Sequence, residues 1–204
     1  MKMGFRKCLS DQCLLMRENK HGTIIICIHI DDTMIVGNRE ALDVFKKEIS
    51  EFFATKEEGK MEEYVGCKVQ KKDGCMFFHQ STLIEKMRKA FANKIAKLRK
   101  YTTPGTPGQG IVRPKEGEPK IGAEEQTEYR SGVGMLLFLV KYSRPDIANA
   151  VRELSKVNDG ATKAHQNELL RLIKFVVDTK DWMLKYELKD ESKKANKWVL
   201  KAFL

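Results

Sequence analysis

An α+β fold, with antiparallel hairpins first and helices after them, is what this 204-residue sequence predicts. Paired β-branched or apolar runs broken by turn residues lie between Thr23 and Gln80, and apolar residues recur at helical spacing beyond Tyr129. Four of the five prolines crowd between Thr102 and Ala123. Proline has no amide proton and a locked φ, so TTPGTPGQGIVRPKEGEPKIGA can be neither helix nor central strand. It reads as a linker between two halves.

Taken in order, Thr23 to Ile30 and Thr33 to Val36 predict a hairpin whose tight turn carries Asp31 and Asp32. Asn38 is a suitable N-cap for a helix with Leu42, Phe45, Ile49 and Phe52 on its apolar side. A second hairpin follows from Tyr64–Gln70 and Cys75–Gln80, which flank Lys71-Lys72-Asp73-Gly74; Asp-Gly is a strong signal for a two-residue reversal. Thr82 and Glu85 then have the spacing of a capping box, opening a helix striped by Leu83, Met87, Phe91 and Ile95. Its other face and tail carry Lys86, Arg88, Lys89, Lys94, Lys97, Arg99 and Lys100 with only Glu85 opposing them. That clustering suits either a phosphate-tracking surface or a solvated helix face.

Beyond the linker three helical patterns appear: Tyr129, Val133, Leu136, Leu137 and Val140; then Ile147, Val151 and Leu154 behind Pro145; then Leu169, Leu172, Ile173 and Val176 behind Thr162. Gly132 and Gly134 each cost about 1 kcal/mol against alanine inside a helix, which implies close backbone packing or a broken first turn. Trp182, Leu184 and Tyr186 alternate as a strand, a charged stretch runs from Lys189 to Lys197, and WVLKAFL reads as the start of another strand. The expected organisation is thus 1–100, 101–128 as linker, 129–188 as helical region, and 189–204 as charged linker and strand start.

Lys and Arg number 38 against 28 Asp and Glu, a net charge of +10, so the chain attracts polyanions: nucleic acid or an anionic membrane surface. Five cysteines form no C-x-x-C pair, which points away from a zinc site or a disulfide framework and toward reduced thiols. No apolar run approaches membrane-spanning length and the N-terminus carries no signal-peptide core. The expectation is a soluble, cytoplasmic chain without a membrane partner.

Two adjacent carboxylates at a reversal are accounted for by turn preference alone. They also suit a hard divalent cation: Mg²⁺ takes oxygen ligands, and two such ions about 3.5–4 Å apart stabilise the attacking and leaving oxygens of an in-line phosphoryl transfer. In the second reading the cation offsets the repulsion, and the basic chain supplies a matching substrate class.

IHIDDTMIVGN resembles the Tyr-x-Asp-Asp hairpin of reverse transcriptases in the form found in copia-type LTR retrotransposon polyproteins. GFRKCLSDQCLL, from Gly4, is similar to the segment leading into that hairpin. YVGCKV with MFFHQ, from Tyr64 to Gln80, resembles the following primer-holding hairpin, and YRSGVGMLLFLVKYSRPDIANAVRELSKV resembles the family's helical region with its Arg-Pro-Asp-Ile signature at Arg144 to Ile147. These matches occur in order over nearly the whole chain.

The resemblance implies a palm fragment followed by thumb and connecting helices. It also implies a parent RNA-directed DNA polymerase that uses two Mg²⁺ ions, template-primer and deoxynucleoside triphosphates. By position, Asp31 matches the metal-binding aspartate and Asp32 its neighbour. Tyr64, Val65 and Gly66 match the primer-positioning turn and Gln80 a polar position before the basic helix, whose Lys86, Arg88, Lys89, Lys94 and Lys97 are, from their charge clustering, the expected phosphate-tracking face; Arg144 and Asp146 are expected to be structural. His29 stands where the family usually has tyrosine, so the primer contact is altered there; the same residue would also suit a half-buried strand. The family's other palm aspartate and its fingers precede these motifs, and WVLKAFL is similar to the strand leading into an RNase H domain. The expectation is therefore little polymerase activity from this chain alone. The rest of the polyprotein would be its partner, in a virus-like particle. The alternative reading is a non-catalytic nucleic-acid-binding remnant of a retroelement.

Overall fold

The computed structural model describes residues 3–30, 32–54 and 62–187, with Asp32 represented by its backbone alone. The expected charged linker and strand at 189–204 lie outside the described residues. The chain divides into two compact units, 1–65 and 66–204.

The first unit is a meander of β1 (Arg6–Lys7), β2 (Leu14–Asn19), β3 (Gly22–His29) and β4 (Asp32–Gly37), followed by helix α1 (Arg39–Ser50) and a two-residue strand β5 (Glu63–Tyr64). Leu15 opposes Ile26 and Arg17 opposes Ile24, while Ile26 in turn opposes Ile35. Opposed residues share a face. On that face Ile24 and Ile26 are buried with Ala41 and Phe45 of α1. Arg17 enters the same core: its guanidinium lies over the Phe5 and Phe45 rings, 4.8 and 5.5 Å from their centroids, and donates to Glu48 and to the Met3 carbonyl.

Two expectations for α1 change. Asn38 stands at the N-cap position, yet its side chain makes no cap; Asn38 Oδ1 accepts the Thr23 amide at 2.8 Å, tying the start of β3 to the end of β4. Gly22 fits this tie because a Cβ there would lie 2.4 Å from Asn38 Oδ1. Phe52, expected on the apolar stripe, lies past the helix end and is 55% exposed.

In the second unit β6 (Cys67–Lys72) and β7 (Cys75–His79) form the expected hairpin, with Lys72 opposite Cys75. Asp73 and Gly74 at φ 51° and 75° provide the two left-handed residues of a type I′ turn. β8 (Leu184–Glu187) pairs antiparallel with β7, so the alternation read from Leu184 and Tyr186 is a strand; Trp182 precedes it. The helices are α2 (Ser81–Ala90), α3 (Ala92–Ile95), α4 (Ala123–Tyr142), a 3₁₀ turn at Pro145–Ile147, α5 (Ala148–Ser155) and α6 (Lys163–Asp178). Their core joins Met87, Phe91 and Ile95 to Tyr129, Val133, Leu136, Leu139, Ile147, Val151, Leu169, Leu172, Ile173 and Val176.

The unit boundary falls at 65/66 because α2 and α3 bury their apolar side in this helical core. The Pro/Gly-rich segment runs over the same core, with Tyr101, Ile111 and Ile121 packed against it, and its expected last residues, 123–128, are the first turns of α4.

The Thr82–Glu85 capping box does not form: α2 starts at Ser81 with Gln80 at the N-cap, which places Thr82 inside the first turn and turns Ile84 rather than Leu83 fully inward. On α4, Leu137 is 47% exposed and Leu139 takes the buried position. The open question at Gly132 is settled in favour of close packing, since a Cβ there would lie 3.1 Å from Leu169 Cδ2 and Phe91 Cζ and 3.4 Å from Ile173 Cδ1. Gly134 has nothing within 4 Å of the same point. Thr162 caps α6 through a reciprocal pair with His165, as its position before the helix leads one to expect.

Candidate nucleic-acid interface

In the first hairpin His29 pairs with Asp32, so the chain reverses between them, with Ile30 at φ 53° and 85% exposed. Asp32 is therefore the first residue of β4 rather than a turn residue. Asp31 and the carboxylate of Asp32, the expected metal ligands, lie outside the described residues. His29 is exposed at the end of β3, not half-buried. Among the described residues no group of three or more His, Cys, Asp or Glu side chains gathers as a cation site. Support for Mg²⁺ comes from donor chemistry alone: adjacent carboxylates suit a hard cation.

The second expected element is the turn before β6. Val65 and Gly66 are successive left-handed residues, φ 50° and 70°. A β-branched residue there is strained by about 1–3 kcal/mol, and such strain gathers at functional positions. Gly66 is exposed, and a Cβ on it would touch the Phe138 ring at 3.6 Å. Tyr64 is half-buried, with its hydroxyl 3.7 Å from Cys27 Sγ in the first unit.

Gln80 does not reach a surface. It is 1% exposed, its Oε1 accepts the Ser143 hydroxyl at 2.8 Å, and its Nε2 finds no acceptor among the described residues. The structure assigns it to joining the start of α2 to the end of α4 rather than to contacting a ligand. Arg144 is likewise interior: its guanidinium takes both Asp146 oxygens at 2.9 Å, donates to the Thr179 carbonyl and hydroxyl, and lies over Phe175 and Trp182. The structural reading of Arg144 and Asp146 therefore stands.

The basic face of α2 and α3 is partly neutralised within the chain. Arg88 holds Glu85 through two bonds of 2.7 Å, which keeps that carboxyl below its ordinary pKa, and Lys94 pairs with Glu128 on α4. Glu128 is remote in sequence, so counting charges along one helix could not find it. Lys86, Lys89 and Lys97 are exposed. Lys86 and Lys89 flank an open depression with Ser81, Thr82 and Glu85 at the start of α2. These three exposed ammonium groups are a smaller set than the five basic residues the sequence singles out.

The relatives this chain resembles fall into one class, the proteins of mobile retroelements. The chain is 25% identical over 187 residues to a putative transposon Ty5-1 protein of Saccharomyces cerevisiae, covering 91% of this chain and 59% of that protein. It is 24% identical over 192 residues to a retrovirus-related Pol polyprotein from transposon RE2 of Arabidopsis thaliana and 26% identical over 185 residues to one from transposon TNT 1-94 of Nicotiana tabacum. These alignments cover 89% and 86% of this chain but only 12% and 14% of the polyproteins. More particularly, the chain is homologous to a segment of copia-type retrotransposon Pol polyproteins. No family model and no solved structure matches it. Among the described residues no helix is long and apolar enough to cross a membrane.

Proposed function

We propose that this chain is the reverse-transcriptase segment of its polyprotein, carrying the later palm and the helices that hold primer and template. The observation that carries the reading is the succession of two hairpins. The first reverses between His29 and Asp32, whose backbones pair; the second follows a strained Val65–Gly66 turn in which Gly66 is exposed. Asp31 and Asp32 would hold Mg²⁺, which when bound supplies charge neutralisation at the attacking and leaving oxygens of nucleotidyl transfer. The side chain of His29 stands exposed at the same hairpin, the Val65–Gly66 turn offers backbone to the primer strand, and Lys86, Lys89 and Lys97 attract template and primer phosphates.

Primer extension tests the reading. Joined behind the upstream polymerase residues of a copia-type relative, the chain should support Mg²⁺-dependent extension that Asp31→Asn abolishes. Alone it should bind primer-template with an affinity that falls steeply as salt rises. Extension unaffected by Asp31→Asn, or no binding at low salt, would overturn the proposal.

A further inference from the structure

The segment Tyr101-Thr102-Thr103-Pro104-Gly105-Thr106-Pro107 contains two Thr-Pro pairs that neither the hairpins nor the basic helix uses. Their hydroxyls meet opposite charges. Thr103 Oγ1 accepts a hydrogen bond from Arg171 Nη2 on α6 at 3.2 Å and donates to the Gly105 carbonyl at 2.9 Å. Thr106 Oγ1 donates to the Glu168 carboxylate, one turn earlier on α6, at 3.3 and 3.4 Å.

Arg171 is under-used where it stands. Its guanidinium carbon lies 4.6 Å from the centroid of the Tyr101 ring, which Arg99 approaches from 5.5 Å, and its Nη1 is buried with no acceptor among the described residues. A buried donor without a partner costs about 1–3 kcal/mol, so this one calls for an acceptor.

We infer that Thr103 is a phosphoacceptor for a proline-directed Ser/Thr kinase and that its phosphate docks on Arg171. In the transfer, Thr103 Oγ1 forms a bond to the γ-phosphorus of ATP as the β,γ-bridging P–O bond breaks. ADP leaves with that electron pair, and the hydroxyl proton passes to the kinase's basic carboxylate. The ester oxygen no longer donates to Gly105, but the phosphate brings three acceptor oxygens and a charge of about −2 to a guanidinium that presents a fork of donors. The unpartnered Nη1 gains its acceptor, and the strap from Tyr101 to Ile111 is fastened more firmly to α6. The same group on Thr106 faces Glu168 and pushes the strap away. The two Thr-Pro pairs thus have opposite effects. Between Tyr101 and Gly122 the segment has no helix or strand, so a kinase can engage it without breaking a ladder.

The test is incubation of the intact chain with a proline-directed kinase and MgATP, site mapping by mass spectrometry, and thermal melting. Phosphate on Thr103 should raise the melting temperature by about 2–5 °C. Arg171→Gln should accept the same phosphate without that rise. Phosphate on Thr106 in the Thr103→Val variant should lower the melting temperature. Three results overturn the inference: no phosphate on Thr103 while a peptide of residues 99–112 accepts it there, phosphorylated chain that melts no higher than unmodified chain, or a rise that persists in Arg171→Gln. None of these readouts depends on polymerase activity.

Discussion

Replacing Gly132 and Gly134 by alanine, one at a time, should move stability in opposite directions although the two glycines share one helix. Alanine is favoured over glycine in a helix interior by about 1 kcal/mol at both. At Gly134 the new methyl meets nothing within 4 Å, so the full gain appears: about 1 kcal/mol, or a rise of about 2–4 °C in melting temperature. At Gly132 the methyl meets Leu169 and Phe91 at 3.1 Å and Ile173 at 3.4 Å, all buried in the helical core. Overpacking a filled core costs about 1–3 kcal/mol, which leaves a net loss of about 0–2 kcal/mol after the helical gain. Because the propensity contribution is common to both, the variants should differ by about 1–3 kcal/mol. Urea denaturation by circular dichroism, with the m-value held constant as a check on the unfolded state, measures that difference. Equal stabilisation by both substitutions would refute the claim that α4 lies directly on Phe91 and α6 at Gly132.

Two further substitutions probe buried polar groups. Arg144→Lys keeps the charge but loses the planar fork that grips Asp146 and Thr179, and should cost about 2–3 kcal/mol in chemical denaturation; Asp146→Asn should cost less, because that carboxylate is partly exposed and can rehydrate. The reverse order would show that the guanidinium is not the organising group. His79 is held below its ordinary pKa by burial and by the nearby Lys68 charge, and its Nε2 accepts the Gln70 amide at 3.1 Å, so the fold favours the neutral ring. The unfolded chain then binds more protons, and stability is fully present above the unfolded value of about 6.5 and declines as pH falls through it. Urea midpoints at pH 7.5 and 5.5 should show that decline in the native chain and a shallower one in His79→Gln; equal slopes would refute the assignment.

The hairpin at Lys72–Cys75 was legible because Asp-Gly dictates its own reversal with no help from distant residues. Thr162 was legible for a similar local reason. The Thr82 cap misled because Gln80 is drawn inward by Ser143, a residue far along the chain, and the helix starts two residues early with Gln80 at the N-cap. Leu137 followed the right period on α4 but fell outside the arc the neighbouring helices cover. Charge counting along α2 and α3 could not see Glu128 removing Lys94 from the free basic set. Nor could it see Thr103 and Thr106 meeting Arg171 and Glu168, since only the path of the strap over α6 brings them together.

The two sheets also differ in when they can be completed. In the first, every strand pairs with its neighbour in sequence, from Arg6 opposite Met16 to His29 opposite Asp32, so each closure spans a short loop and the meander can zip as a nascent chain emerges. In the second, Leu184 must find Phe78 after α2 through α6 have all been synthesised. That strand is the last to arrive, and until it does one edge of β7 stands open to any other extended chain.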